Sequence, residues 1–309
     1  MTIALGFRYD NGVLLCADTE LSGWANTTHA RKIFHTVCRW GSVAFAYSGN
    51  SDFAVATIQR CLQGADVENL GEAHAAIERI LDRQYRKQVL SHPQSQDPNL
   101  HYSLIFALCT QHDASLYMTY QTSVHSVDSD YASTGIGEAL AKYIIGPCLQ
   151  QPIGERHVLL LGTFTLGCIK GNVPGCGGPS QFVFLRRGYE PVELWSMAAT
   201  GAPTMTNTEW LERHSKGCDA LAHRLWLNLA NPDISDADFE KEADEFRKLL
   251  SSLRADWRKR CHAHESFAEL LPGGPKLLNI EDELTRPSPK HDPSDQPPPP
   301  ESPGGPGES

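Results

Sequence analysis

The clearest chemistry in the sequence belongs to the second residue. Thr2 follows the initiator methionine and is small enough for that methionine to be trimmed, which would leave a threonine with a free α-amino group. Such an amine has a pKa of about 7.7–8, so a useful fraction of it is neutral at pH 7. It can therefore act as the general base for its own Oγ, which is the N-terminal-threonine solution to acyl transfer. Threonine is common at position 2, so this interpretation depends on the surrounding residues.

Strands and helices that could position Thr2 are readable along the chain. The apolar runs at 3–7 and 13–17 flank Asp10-Asn11-Gly12, and Asn-Gly between apolar runs predicts a β-hairpin. Periodicity predicts further strands at 33–38, 42–47, 104–109, 116–120, 181–186 and 191–195, and helices that include 53–62, 77–89, 136–148 and 155–171. Because strands and helices come in segregated runs, we expect an α+β fold with antiparallel sheets flanked by helices rather than βαβ units.

Composition and charge exclude several classes of protein. The chain is 40% hydrophobic and 21% charged, so it can bury a sizeable core. Its net charge of −10 and its lack of basic runs argue against a general nucleic-acid binder. The apolar stretch Val158–Ile169 is too short to span a bilayer and predicts a buried helix. With no signal-peptide pattern and nine cysteines without CxxC spacing, we expect a cytoplasmic protein that binds no membrane.

The C-terminal part of the chain differs from the rest. We predict a first domain at 1–200, a helical extension at 201–275 and a disordered Pro-rich tail at 276–309. In the extension, Leu221, Leu225 and Leu229 form a leucine stripe, and Ser235 with Asp238 forms a capping box after it. A heptad-like seam follows, made of Phe239, Ala243, Phe246, Leu250, Leu253 and Trp257. The pattern predicts a helical hairpin that packs on the body of the protein or on a neighbouring subunit.

The run from Thr2 to Thr19 resembles, without gaps, the opening of mature proteasome β-type subunits. These are the threonine peptidases of the N-terminal nucleophile (Ntn) hydrolases. The resemblance matches the nucleophile at Thr2, the first-strand glycine at Gly6, the turn glycine at Gly12 and Ala-Asp-Thr at 17–19. It continues through Ser22-Gly23, Arg-Lys-Ile-Phe at 31–34 and Tyr-Ser-Gly-Asn-Ser-Asp at 47–52, and more loosely at 133–138 and 176–180. It covers about residues 2–200 and implies a four-layer αββα sandwich of two antiparallel sheets, followed here by the helical extension.

The resemblance also implies a role for particular residues. Thr2 Oγ would attack the scissile carbonyl, Lys32 would lower its pKa or shuttle its proton, and Asp18 would pair with Lys32 and orient it. The backbone N–H of Ser48 or Gly49 would form the oxyanion hole. A further residue, Thr134, would help to hold the terminal amine in place of the family's serine. No cofactor and no metal are implied.

The sequence departs from the family's pattern in several places. Lys32 follows Asp18 by only 14 positions, fewer than is usual, so the intervening loop must be shorter and Arg31 is an alternative to Lys32. Glu20 stands where the family usually carries arginine, which alters the rim of the substrate pocket. No acidic residue near 172–176 can support the terminal amine, and Asn172 is the nearest polar candidate. Since no propeptide precedes Thr2, we expect no autolytic maturation.

These observations favour a threonine-type peptidase subunit of a proteasome-like assembly. We expect a homo-oligomeric ring that acts on peptides or unfolded proteins and that an unfoldase can serve. Two alternatives stay open: a stand-alone Ntn amidase acting on small amides, and a non-catalytic structural subunit. A metal site at Cys261, His262 and His264 is not predicted, because no second ligand pair follows at usable spacing. The glycine-rich segment 171–179 lacks the Gly-Lys-Ser/Thr of a phosphate loop.

Overall fold

A computed structural model gives the fold of the chain. It describes residues 2–22, 27–149, 154–195 and 234–262, with isolated residues between 214 and 228. The predicted tail at 276–309 and most of the predicted extension lie outside these described residues. Met1, whose removal is predicted, also lies outside them.

The described strands and helices follow in chain order. The strands are β1 Ile3–Tyr9, β2 Gly12–Asp18, β3 Glu20–Ser22, β4 Thr27–His29, β5 Ile33–Cys38, β6 Gly41–Gly49, β7 Tyr102–Cys109, β8 Ala114–Tyr120, β9 Ser123–Ser126, β10 Tyr131–Gly135, β11 Ser180–Arg186 and β12 Val192–Trp195. The α-helices are α1 Ser51–Gly64, α2 Leu70–Tyr85, α3 Glu138–Cys148, α4 Glu155–Asn172 and α5 Asp236–His262. A π-helical turn, Arg86–Leu90, continues α2, and a 3₁₀ turn, Pro98–Leu100, precedes β7.

Two five-stranded antiparallel sheets form the centre of the described chain. The first has the strand order β10-β1-β2-β11-β12, and the second the order β5-β6-β7-β8-β9. Short strands β3 and β4 pair with each other between β2 and β5. The predicted hairpin is present, with Tyr9 opposite Gly12 in the β1–β2 register. All described sheet pairings are antiparallel, which agrees with the predicted α+β class.

The hydrophobic core has three parts. In one part, α3 and α4 pack against the first sheet, with Leu166 and Ile169 beside Ile3, Leu5 and Phe182. In another, α1, α2 and the π-helical turn pack against the second sheet through residues that include Ile58, Ile77, Leu81, Tyr85 and Val89. The third part contains only residues of the strands and adjoining turns, contributed by both sheets, and many of them are alanines, among them Ala4, Ala17, Ala44, Ala46 and Ala107. Small side chains let the two sheets approach each other closely.

Local sequence accounts for where the helices begin. The side chain of Asn50 accepts a hydrogen bond from the N–H of Phe53 at the start of α1, and Asn69 does the same for Glu72 at the start of α2. These bonds satisfy backbone donors that have no partner inside a helix. In the helix predicted at 77–89, Ile77 and Leu81 are buried, and the buried face continues to Val89 through the π-helical turn.

The apolar stretch Val158–Ile169 forms most of α4, and it is buried against the first sheet as predicted. Among the described residues, no helix combines the length and the apolar character needed to cross a membrane. The predicted cap of α5 is also present, because the N–H of Asp238 donates to Ser235 Oγ at 3.2 Å. Leu253 of α5 packs against the core beneath the first sheet, and Arg224 pairs with Glu242 at 3.2 Å. The side chain of Trp257 and residue Leu229 lie outside the described part.

The structure adds elements that periodicity did not predict. Strands β3, β4 and β9 are three or four residues long, too short for alternation to stand out. The most consequential addition is β10, whose sequence Tyr-Ala-Ser-Thr-Gly has little apolar pattern. It pairs with β1 along its whole length, so the helix predicted from residue 136 begins at Glu138 instead.

Candidate active site

Thr2 lies directly before β1 and is 2% exposed. Its carbonyl oxygen accepts a hydrogen bond from the N–H of Ile136 at 3.0 Å. Gly135 makes this approach feasible, since its φ is +112° and a Cβ there would lie 2.1 Å from that carbonyl oxygen. The chain around Thr2 is therefore held by β10, the strand that the sequence did not predict.

Asp18, the last residue of β2, is fully buried and has partners on both carboxylate oxygens. Its Oδ1 accepts from Thr2 Oγ1 at 2.5 Å, from Lys32 Nζ at 2.7 Å and from the N–H of Ile3 at 3.1 Å. Its Oδ2 accepts from the N–H of Gly177 at 2.9 Å. Burying a carboxylate costs free energy unless it is paired and hydrogen-bonded, and Asp18 has both kinds of partner.

Lys32 brings the third functional group to the same point. Its side chain is fully buried, and Nζ donates to Asp18, to the carbonyl oxygen of Glu20 at 2.5 Å and to Thr2 Oγ1. Burial holds the pKa of Lys32 below its ordinary value, while the carboxylate of Asp18 partly offsets that fall. The structure thus brings together the threonine, aspartate and lysine that the sequence singled out.

Arg31, the alternative to Lys32 in the sequence analysis, does not contact Thr2 or Asp18 among the hydrogen bonds described. Its guanidinium donates to Glu193 Oε2 at 2.7 Å and to the carbonyl oxygen of Ile33 at 2.7 Å. It also lies over the ring of Phe34, 5.5 Å from the centroid. Adjacent residues of an extended chain point to opposite sides, so the register that buries Lys32 turns Arg31 away.

The last two residues of β6, Ser48 and Gly49, are those predicted to form the oxyanion hole. Gly49 has a φ of +89°, and a Cβ there would lie 2.3 Å from the carbonyl oxygen of His101, so glycine is required. Ser48 and Thr134 share a hydrogen bond between their hydroxyls at 2.9 Å. An added Cβ at Gly135 would lie 3.2 Å from Ser48 Cβ and 2.1 Å from the carbonyl oxygen of Thr2. The end of β6 is therefore a neighbour of Thr2.

The residues expected near the terminal amine differ from the prediction. Asn172 ends α4, and its side-chain N–H donates to the carbonyl oxygen of Cys168 at 2.8 Å, inside its own helix. Cys176 is buried beside the charged centre instead; burial first, and then the charge of Asp18, raises the pKa of its thiol to about 12. The polar side chain buried beside the charged centre is therefore the neutral thiol of Cys176 and not the amide of Asn172.

A cleft of about 520 Å³ opens beside the charged centre. Its lining is mostly apolar with a few polar groups: Leu21, Ala30, Arg31, Phe34, Tyr47, Ser51, Asp52, Val55, Ala56 and Gln59. Three of these residues, Leu21, Arg31 and Tyr47, directly adjoin Glu20, Lys32 and Ser48 in the chain. Burial first, and then the charge of Asp18, raises the pKa of Tyr47 to about 12, so this wall of the cleft lies within electrostatic range of the charged centre.

Several residues of the site could not be found from sequence spacing. The N–H of Gly177, the carbonyl oxygen of Glu20 and the side chain of Gln181 all contact the charged centre or its strand. Gly177 and Gln181 arrive there because β11 pairs with β2, with Ser180 opposite Asp18. That pairing joins residues more than 150 positions apart, and no local pattern encodes it.

Within the described residues, no cluster of three or more His, Cys, Asp or Glu side chains could hold a metal ion. His264 lies outside the described part, as do the side chains of Cys261 and His262, the remaining members of the motif considered above.

Comparison with solved structures shows a similar fold at low sequence identity. The structure of the Anbu Gly-1 mutant from Hyphomicrobium sp. strain MC1 is 14% identical, with a TM-score of 0.59 over 75% of this chain and 100% of the other. The helical assembly of the Anbu complex from Pseudomonas aeruginosa is 13% identical, with a TM-score of 0.60 over 76% and 99%. Anbu from Yersinia bercovieri, described as an ancestral β-subunit, is 13% identical with a TM-score of 0.56 over 76% and 99%.

No family model matches the sequence, and a search of curated proteins finds no match. At 13–14% identity, the likeness to the Anbu structures establishes a shared fold and nothing beyond it.

Proposed function

We propose that this chain is a threonine-type peptidase subunit of a proteasome-like cytoplasmic assembly and that it hydrolyses peptide bonds through Thr2 after Met1 is removed. One observation carries the proposal: Thr2 Oγ1, the Asp18 carboxylate and Lys32 Nζ are in mutual contact inside a buried site. Burying a lysine and an aspartate costs desolvation free energy even when the two form an ion pair. A buried pair of this kind around a hydroxyl therefore indicates a functional site better than a stabilising contact.

The proposed reaction begins when Thr2 Oγ attacks the scissile carbonyl carbon. The free α-amine of Thr2 takes the Oγ proton, and the Lys32 ammonium stabilises the negative charge that grows on Oγ. The backbone N–H of Gly49 donates to the oxyanion of the tetrahedral intermediate. The intermediate then expels the product amine, which receives the proton from the α-amine. Water hydrolyses the resulting ester and frees Thr2.

Asp18 acts on this reaction through its partners. By accepting hydrogen bonds from Lys32 and from the N–H of Ile3, it fixes both the ammonium and the backbone beside the nucleophile. The cleft next to Lys32 would bind the side chain that precedes the scissile bond. The core is consistent with a four-layer αββα sandwich, since helices cover the outer side of each sheet and a separate cluster lies between the sheets.

The assembly is part of the proposal. The Pseudomonas aeruginosa Anbu complex was solved as a helical assembly. For this chain we propose a homo-oligomer, either a ring or a related open form, that shelters the site and receives peptides or unfolded protein.

The test combines intact mass, labelling and turnover on the purified full chain. We expect a mass without Met1, covalent labelling of Thr2 by an epoxyketone or β-lactone probe, and hydrolysis of fluorogenic peptides by an oligomer. Active material that retains Met1 would contradict the mechanism, because a peptide-bonded nitrogen cannot be the base. Hydrolysis of small amides by a monomer would favour the stand-alone amidase. Loss of Met1 without labelling or turnover would favour a non-catalytic subunit.

A further inference from the structure

A glutamine side chain fastens the strand that carries Lys32. Gln181 lies on β11 opposite Ala17 and is fully buried. Its Oε1 accepts hydrogen bonds from the backbone N–H groups of Lys32 and Ile33, both at 3.0 Å. Its Nε2 donates to the carbonyl oxygen of Ile33 at 2.9 Å. The amide thus gives the start of β5 the partners that a neighbouring strand would otherwise provide.

Glu193 on β12 fixes the orientation of that amide. Its Oε1 accepts from Gln181 Nε2 at 2.8 Å, and its Oε2 accepts from Arg31 at 2.7 Å and lies 3.4 Å from His35 Nε2. The amide nitrogen therefore faces two acceptors while the amide oxygen faces two donors, so a flipped amide would lose all four bonds. The result is a bridge from the first sheet to the first strand of the second sheet.

We infer that Gln181 is a positioning residue for Lys32, holding the lysine backbone at the place from which Nζ reaches both Asp18 and Thr2. The inference rests on the proposed function, in which Lys32 stabilises charge on Thr2 Oγ. A lysine has a long flexible stem, so a fixed ammonium requires a fixed backbone. A displacement of about 1 Å at a catalytic group can cost about 10²-fold in rate.

Gln181→Met tests this in the full chain, because methionine keeps the length of the side chain but none of its hydrogen bonds. We expect kcat for a fluorogenic peptide to fall by about 10- to 100-fold with KM nearly unchanged. Gln84→Met is the control, since Gln84 is also buried but belongs to α2. It should leave kcat and KM near the wild-type values.

A double-mutant cycle separates positioning from a general loss of structure. If Gln181 acts only through Lys32, then Gln181→Met should cost less than about twofold in a Lys32→Ala background. An equal loss in both backgrounds would show a merely structural role and overturn the inference. Gln181→Asn, which keeps the amide but is one methylene too short, serves the same cycle if the methionine variant does not fold.

Amide hydrogen exchange provides a readout that is independent of turnover. The amides of Lys32 and Ile33 should lose protection in Gln181→Met, while those of β7 should keep it. Unchanged protection at both amides would overturn the bridge itself, and lost protection with unchanged kcat would overturn its positioning role. If Thr2→Ala retained wild-type turnover, the proposed function would fail, and the exchange result would still report on the bridge.

Discussion

The two sides of Thr2 are built differently. On the lysine side, Asp18 and Lys32 are fully buried, and every contact described is a charge-assisted hydrogen bond or a bond to backbone. On the other side, neutral hydroxyls predominate, with Ser48 and Thr134 bonded to each other at 2.9 Å.

Because of this difference, we expect substitutions to be tolerated better on the neutral side of Thr2 than on the lysine side. A buried ion pair has a narrow geometry, because losing any one partner leaves an unpaired charge. Neutral hydroxyls can exchange partners at a cost of about 0.5–1.5 kcal/mol each. Of the departures from the proteasome pattern, Thr134 falls on the neutral side, whereas Glu20 and the shortened loop fall on the lysine side. The lysine side keeps its aspartate and lysine even though the loop between them is shorter.

The largest expected effect belongs to the residue between the two sides. Thr2→Ala should abolish peptide hydrolysis, because no other hydroxyl is known to stand in contact with Lys32 Nζ in the described site. The matched control is Thr163→Ala, a buried threonine of α4 whose hydroxyl bonds to its own helix at 2.7 Å. Turnover of a fluorogenic peptide panel by both variants is the measurement. Activity that survives in Thr2→Ala would move the nucleophile elsewhere.

Breaking the lysine side should cost nearly as much. Lys32→Ala and Asp18→Asn should each lower kcat by about 10²–10⁴, the range for positioned proton-transfer and charge-stabilising groups. Circular dichroism and size exclusion should show folded, assembled protein for each variant, which separates lost chemistry from lost structure. Wild-type kcat in folded Lys32→Ala would remove the lysine from the mechanism.

The charge pair also makes a prediction about pH. Burial lowers the pKa of Lys32, and the carboxylate of Asp18 raises it, so removing that negative charge should lower the pKa further. The limb of the kcat profile that belongs to Lys32 should therefore move to lower pH in Asp18→Asn. Kinetics across pH 6–10 (about the range over which such a limb can be followed) check the direction. A shift to higher pH would contradict the assignment.

The neutral side should be more tolerant. Thr134→Val removes one hydroxyl and its bond to Ser48 while keeping the shape of the side chain. We expect kcat to fall by about tenfold, the equivalent of about one neutral hydrogen bond. Thr134→Ser restores the hydroxyl and should recover most of the rate. A loss as large as that of Lys32→Ala would show that the two sides are equally demanding.

The smallest effect is expected just outside the lysine side. Arg31→Ala removes a half-exposed ion pair with Glu193, and such pairs contribute about 0–1 kcal/mol. Turnover should stay within about threefold of the wild type, which is the rate equivalent of such a pair. Because Arg31 also borders the cleft, KM for individual peptides is measured together with kcat. A loss in kcat comparable to that of Lys32→Ala would place the functional cation at position 31.

Much of the site could be predicted from the sequence because its signals are local. The hairpin at Asp10-Asn11-Gly12 follows from turn chemistry. Thr2, Asp18 and Lys32 are singled out because the stretch that contains them resembles the opening of proteasome β-type subunits. The buried helix at Val158–Ile169 follows from a continuous apolar run, since burial of apolar surface dominates over local detail. Each of these signals lies within one continuous stretch of the chain and can be read without knowledge of the fold.

Only the tertiary structure decided which residues support that site. That Lys32 rather than Arg31 contacts Thr2 depends on the register of β5 against β6, where a shift of one residue would reverse the side chains. The β2–β11 pairing brings Gly177 to Asp18 and Gln181 to the backbone of Lys32. The side chain of Asn172 bonds within α4 instead. Contacts between residues far apart in the chain depend on how the sheets pair and pack, and a single local pattern does not carry that information.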